Sequence, residues 1–112
     1  MKKIEAIIRE EKLDDVRDGL IELSYYGMTV SEVSGRGKQG GIKIQWRTGD
    51  YQVQFLPKLK IEVVVLDEDA GKVVNSIMKN ARTGEPGDGK IFVIPVENAL
   101  RIRTGESGNA AV

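Results

Sequence analysis

The eight residues Thr83-Gly84-Glu85-Pro86-Gly87-Asp88-Gly89-Lys90 hold three glycines, two carboxylates and a lysine, more than a simple turn requires. Glycines let backbone N–H groups approach an anion closely, and a lysine adds charge where the next segment begins. A second run, Gly35-Arg36-Gly37-Lys38-Gln39-Gly40-Gly41, repeats the combination with two cations and an amide. Arg101 and Arg103 stand two apart on a segment that reads as extended, which turns both guanidiniums to one side. Arg36, Lys38, Lys90, Arg101 and Arg103 thus bring five cations to three glycine-adjacent segments, a set suited to a polyphosphate ligand. The spacing GxxxxGK[ST] is absent, which excludes a Walker-type phosphate loop. Each cluster alone is weak evidence, since glycine-rich turns are usually just turns and surface arginines usually just solvated; their sum carries the argument.

The composition narrows the chemistry. With 17 Lys and Arg against 17 Asp and Glu, the chain lacks the positive excess of a general nucleic-acid binder. It contains no Cys and no His, so disulfides, thiol chemistry, zinc sites and imidazole catalysis are excluded. No apolar run approaches the roughly 20 residues of a membrane span, and the N-terminal run is too short for a signal peptide. The expectation is a soluble, cytoplasmic protein that does not insert into a membrane. At 112 residues a single domain spanning 1–112 is expected.

Around these loops the sequence predicts regular elements. Residues 3–8 read as a strand, and Leu13, Val16, Leu20 and Leu23 recur at helical spacing, with Gly27 as the expected stop. Residues 28–33 read as a second strand, and 58–66, β-branched and apolar, as a central one. Asp67 or Asp69 is the expected cap of a second helix carrying Val73, Val74, Ile77, Met78 and Ala81 inward and ending at Gly84. Residues 90–96 read as a strand that, because of Pro95, runs at an edge or is leaving the sheet, and 100–106 as a short extended piece before a loose polar tail. Lys3-Ile4-Glu5 and Lys60-Ile61-Glu62 echo each other at the start of the two halves. The order β-α-β-β-α-β predicts an α+β, ferredoxin-like domain: an antiparallel sheet with two helices on one face.

A protruding loop at about 36–57 is far longer than a strand connection needs, whereas the loop at 83–90 is compact. Within the long one, Ile42, Ile44 and Trp46 alternate against Tyr51, Val53 and Phe55 around a four-residue Arg47–Asp50 turn. Such a hairpin either folds back on its own domain or projects as an arm whose apolar face and Arg47 dock into a partner.

From "KKIEAII" through "GMTVSEV", "GRGKQGG", "FLPKLKIEVVV" and "TGEPGDGKIFV" to "RIRTGE", nearly the whole chain resembles the PII nitrogen-regulatory signal proteins. The resemblance implies a homotrimer with ATP or ADP in clefts between subunits. Base and ribose would lie near Ile7, Gly27, Met28, Thr29, Glu62 and Val64. Phosphates would lie on Gly35, Arg36, Gly37, Lys38, Gly87, Asp88, Gly89 and Lys90, with Arg101 and Arg103 reaching in. With Mg-ATP bound, 2-oxoglutarate would be held by Gln39, Lys58 and backbone amides around Gly37 to Gly41, Gln39 also touching Mg²⁺. Trp46, Arg47, Tyr51 and Phe55 would be the partner-binding part of the long loop, and Tyr51 a possible modification site. Implied partners are an ammonium transporter or a glutamine synthetase-, nitrogenase- or transcription-linked regulator.

The chain departs from that family's pattern in four places. "WRTGDY" stands where many bacterial relatives read "YRGAEY", and Gly49 replaces a serine phosphorylated in some cyanobacterial relatives. Gly40 stands where many have lysine, and "REEKL" (9–13) replaces the common "KPFKL". "GRGKQGGI" shares features of the nitrogenase-associated branch. Two other classes fit the residues less well. A small nucleotide hydrolase would use Asp88 or Glu62 to activate water, without His or an evident carboxylate pair. An RNA-recognition domain would want sheet-face aromatics, of which only Phe92 is a candidate.

Overall fold

The computed structural model describes residues 1–36 and 55–112 in full, together with the backbone of two strands, Lys43–Trp46 and Gly49–Gln52; residues 37–42, 47–48 and 53–54 lie outside the description. The elements are β1 (Lys2–Ile8), α1 (Leu13–Glu22), β2 (Thr29–Gly35), β3 (Lys43–Trp46), β4 (Gly49–Gln52), β5 (Leu56–Val65), α2 (Ala70–Ala81) and β6 (Lys90–Pro95). Four strands form an antiparallel sheet in the order β2-β5-β1-β6, the expected ferredoxin-like arrangement. β3 and β4 pair separately as a hairpin.

Alternation assigns the two sheet faces. Ile4, Ala6 and Ile8 of β1 and Leu59, Ile61, Val63 and Val65 of β5 are buried together with Val16 and Leu20 of α1 and Val73, Ile77 and Ala81 of α2. Each such aliphatic burial contributes about 1.5–3 kcal/mol for the larger side chains. The opposite face carries the internal echo. Glu5 lies opposite Glu62 and Ile7 opposite Lys60, so the repeated motifs are the two central strands run antiparallel. Lys3 pairs with Glu62 at 3.4 Å, and Lys60 with Glu5 at 3.4 Å and Glu62 at 3.3 Å. Ion pairs screened by solvent in this way contribute little, so the helix-covered face holds the fold together.

Several expected boundaries move, each for a local reason. α1 stops at Glu22, not at Gly27: Ser24 takes φ 68° and the N–H groups of Ser24 and Tyr25 close on the carbonyls of Ile21 and Leu20. That is a Schellman closure without glycine, and Tyr25 drives it. Its hydroxyl accepts from the Leu66 N–H at 3.2 Å and donates to Asp69 at 2.5 Å, which requires the chain to turn before Gly27. Burial and the Asp69 hydrogen bond push the Tyr25 hydroxyl above its ordinary pKa. Asp69 therefore does not cap α2 with its side chain, and Asp67 pairs instead with the N-terminal ammonium at 2.8 Å. α2 ends at Ala81, since Arg82 is already extended; Gly84 belongs to the loop beyond. Met78, expected inward, is exposed, and Val74 is only partly covered. β6 is an edge strand with Pro95 at its end, as expected.

Two further expectations fail at the level of register. In the hairpin Trp46 pairs with Gly49 and Ile44 with Tyr51, so two residues separate the strands, not four. Two-residue connections match strand twist best. At the C-terminus, 100–106 is not extended: Arg101 N–H donates to Glu106 O and Gly105 N–H to Arg101 O, both at 2.8 Å, closing a turn. The loose tail is a 3₁₀ turn at Gly108–Ala111.

Candidate functional site

The loop 83–90 is organised around one carboxylate. Asp88 accepts from the Thr83 and Gly84 N–H groups, both at 2.9 Å, and from the Thr83 hydroxyl. Arg9, the residue after β1, donates Nε to the same carboxylate at 3.0 Å and Nη2 to the Pro86 carbonyl at 2.8 Å. Lys58, buried on β5, donates Nζ to the next carbonyl, Gly87 O. Thr83 first, then the two N–H groups and Arg9, hold the Asp88 carboxyl well below the usual carboxylate range, against the opposing effect of burial. Burial, and next the Arg9 guanidinium, push the Lys58 ammonium below its ordinary pKa.

Glycine is required where the loop meets the sheet. Gly84, Gly87 and Gly89 all have positive φ. A Cβ built on Gly89 would stand 1.7 Å from the Ile7 carbonyl oxygen, inside any permissible contact. The loop thus passes directly over the end of β1.

The grip on the loop fixes its donors. In a planar trans peptide the C=O and the following N–H point in opposite directions. Pro86 and Gly87 turn their carbonyls to Arg9 and Lys58, so the Gly87 and Asp88 N–H groups face away from both cations. Pro86 and Gly87 are the corners of a turn that the Asp88 N–H closes on Glu85, and among the described residues none accepts a hydrogen bond from the Gly87 or Gly89 N–H. Outward-turned amides of this kind are anion donors.

Beside the loop is a cavity of about 530 Å³ at one end of the open sheet face. It brings together Ile7, Gly35, Arg36, Lys58, Gly87, Asp88, Gly89 and Lys90, eight of the residues expected at the nucleotide and acid sites, with Phe92 beside them. The remainder are elsewhere. Gly27, Val64 and Arg101 line a second hollow with Tyr26, about 440 Å³. Val64 is six residues along β5 from Lys58, or about 20 Å of strand. Thr29 is exposed opposite Glu62, and Glu62 is paired with Lys3 and Lys60, which lower its pKa, the Lys60 hydrogen bond foremost. Met28 packs partly against the core, and Arg103 is exposed. Arg101 pairs with Glu106 at 3.0 Å, so the two arginines do not form one extended cationic edge. Phe55 is exposed. Gly37, Lys38, Gln39, Gly41 and Arg47 lie outside the described residues, as do the side chains of Trp46 and Tyr51. Among the described residues there is no cluster of three or more acidic side chains able to hold a metal.

Arg9 is the loop-holding residue that sequence reasoning did not single out. Its only signal was a cation placed directly after an aliphatic strand; its partners are 77 and 79 residues away.

A ferredoxin-like domain whose glycine loop presents clamped backbone amides beside a cationic cavity defines a small anion-binding module. The family model for nitrogen regulatory protein P-II matches residues 1–106, and the chain belongs to that family. It is 55% identical to nitrogen regulatory protein P-II 2 of Methanothermobacter thermautotrophicus over 112 residues, covering all of this chain and 97% of the relative. It is 54% identical to the Nostoc punctiforme P-II protein and 53% identical to P-II 1 of Escherichia coli (strain K12), each over the whole of both chains. The chain is accordingly a nitrogen-regulatory signal protein of a class that binds ATP or ADP and 2-oxoglutarate, and a signal transducer, not an enzyme. Members generally form trimers and act on nitrogen-metabolism targets. No helix among the described residues is long and apolar enough to cross a membrane.

Proposed function

We propose that this chain works as a cytoplasmic homotrimer that reads ATP, ADP and 2-oxoglutarate and reports through its long loop to a nitrogen-metabolism partner. The observation that carries the reading is the clamped loop: the Gly87 amide turned outward, with Lys90 following and Arg36 and Lys58 on the adjoining cavity. A triphosphate fits rigid N–H donors flanked by cations. The split of the residue set supports the oligomer. Gly27, Val64 and Arg101 sit at a hollow apart from Gly87 and Lys90, so one nucleotide meets both groups only where two copies adjoin.

Lys58 and Gln39 are the residues for the dicarboxylate, and Gln39 with ligand oxygens those for Mg²⁺. When bound, Mg²⁺ supplies charge that links phosphate and keto-acid oxygens, making the second ligand depend on the first. Residues 36–57, with Trp46, Arg47, Tyr51 and Phe55, then adopt ligand-dependent shapes that fit an ammonium transporter, which would bring the protein to the membrane, or a glutamine synthetase-, nitrogenase- or transcription-linked regulator. Asp88 and Glu62, the candidate bases of a hydrolase, are both occupied by donors within the chain.

The test is calorimetric titration of 2-oxoglutarate into the protein with Mg-ATP, with Mg-ADP and with neither. Binding with Mg-ATP alone is the expected result. Nucleotide binding without any 2-oxoglutarate heat would replace this reading with an adenylate-charge sensor and make Gly40 the first suspect.

A further inference from the structure

We infer that Arg9 is a positioning residue for the phosphate-binding amides: it orients the Gly87 N–H by holding the Pro86 carbonyl from behind while bracing Asp88. The inference rests on the nucleotide reading above and adds to it a residue that touches no ligand in that scheme.

The geometry is specific to a fork. One guanidinium reaches two acceptors on one loop, Pro86 O at 2.8 Å through Nη2 and the Asp88 carboxylate at 3.0 Å through Nε. Arg9 is itself held: its backbone is extended at the exit of β1, and its carbonyl accepts from Lys12 N–H at 3.1 Å, closing the short 3₁₀ turn Glu10–Lys12. The anchor is therefore the sheet itself. Because the Pro86–Gly87 peptide is one plane, holding its oxygen fixes where its N–H points. The neighbouring plane is held the same way by Lys58 through Gly87 O. Without Arg9, the Pro86 carbonyl loses its cation, and that plane can turn about the Pro86 ψ and the unrestricted φ of Gly87. A lysine at this position carries the charge but offers no planar fork able to hold both acceptors at once.

A residue that merely supplied positive charge near the phosphates would be replaced by lysine without loss. A residue that aims amides at phosphates weakens ligands in proportion to the phosphates they carry. The experiment measures ATP, ADP and adenosine affinities by calorimetry for the wild-type protein and for Arg9→Met and Arg9→Lys. Arg9→Met is expected to weaken ATP by about tenfold, the scale of one lost charge-assisted hydrogen bond, and adenosine by less than about twofold. Arg9→Lys should fall between the two. Equal losses for ATP and adenosine, or no loss for either, overturn the inference while leaving the nucleotide reading intact. A wild-type protein that binds no ATP overturns both. Hydrogen exchange supplies a ligand-independent arm: the Thr83 and Gly84 amides, which rest on Asp88, should exchange about tenfold faster in Arg9→Met. Unchanged protection of those amides shows that Arg9 does not brace the loop, which also overturns it.

Discussion

The loop 83–90 and the turn 101–106 are built from the same stock: glycines at positive φ, a threonine, a carboxylate and arginine donors. In the loop the cations arrive from the sheet, Arg9 from 79 residues away and Lys58 from 29. In the turn Arg101 is satisfied by Glu106, five residues on, and Thr104 donates to the same carboxylate. A loop tied to distant strands takes its shape from the fold and keeps its amides available. A turn tied to itself keeps its shape without the fold and has its arginine already engaged.

The sharpest way to break that comparison is at one glycine in each. Alanine at Gly89 meets the Ile7 carbonyl oxygen at 1.7 Å with φ 108°, so backbone must move against backbone. Strain and overpacking of that sort cost about 3 kcal/mol or more. Alanine at Gly105 has φ 75° and open space around it, leaving only the left-handed strain of about 1 kcal/mol. Urea denaturation of the two variants should rank them in that order. Equal losses would show that the loop can lift off β1, and its rigidity would no longer explain its function.

Acid provides the second test. Asp88 has its folded pKa depressed, so its contribution to stability is complete above the unfolded carboxylate value near 3.9 and is lost as pH falls through the folded value. Glu62 and Asp67 are depressed as well, so the whole protein loses stability in the same direction. The difference between wild type and Asp88→Asn isolates the loop. Melting temperatures should lie furthest apart at neutral pH and converge below about pH 4. A gap that stays constant down to strong acid would mean the Asp88 charge does not hold the loop.

How much of this was legible follows the same division between local and distant. The β5 run and the 3–4 spacing of Leu13, Val16 and Leu20 are local patterns, and they placed the sheet, both helices and the edge strand. The glycines and Lys90 of the loop are equally local, and the anion site proposed there rests on them. The end of α1 was misplaced because Tyr25 answers to Asp69 and Leu66, more than 40 residues off, and no residue type marks Ser24 as the left-handed position. Arg9 was passed over because a cation after a strand is ordinary until the strand's neighbour across the sheet is known. Arg101 and Arg103 were read as a paired edge because spacing alone cannot show a carboxylate folding back.

That carboxylate sets the smallest expected effect and the finest discrimination between the two regions. The Arg101–Glu106 pair is roughly two-fifths exposed on both sides, so removing its charge should change stability by less than about 0.5 kcal/mol. On the proposed reading its cost falls on ligand binding instead, since Arg101 would have to leave Glu106 before it could meet a phosphate. Glu106→Gln keeps the shape and an acceptor for Thr104 but releases the guanidinium. ATP affinity should then rise, by no more than about fivefold given the worth of an exposed pair, with the melting temperature unchanged. Reduced affinity would mean that Glu106 holds Arg101 in its binding posture, so that the turn, like the loop, orients a donor by bracing it from behind.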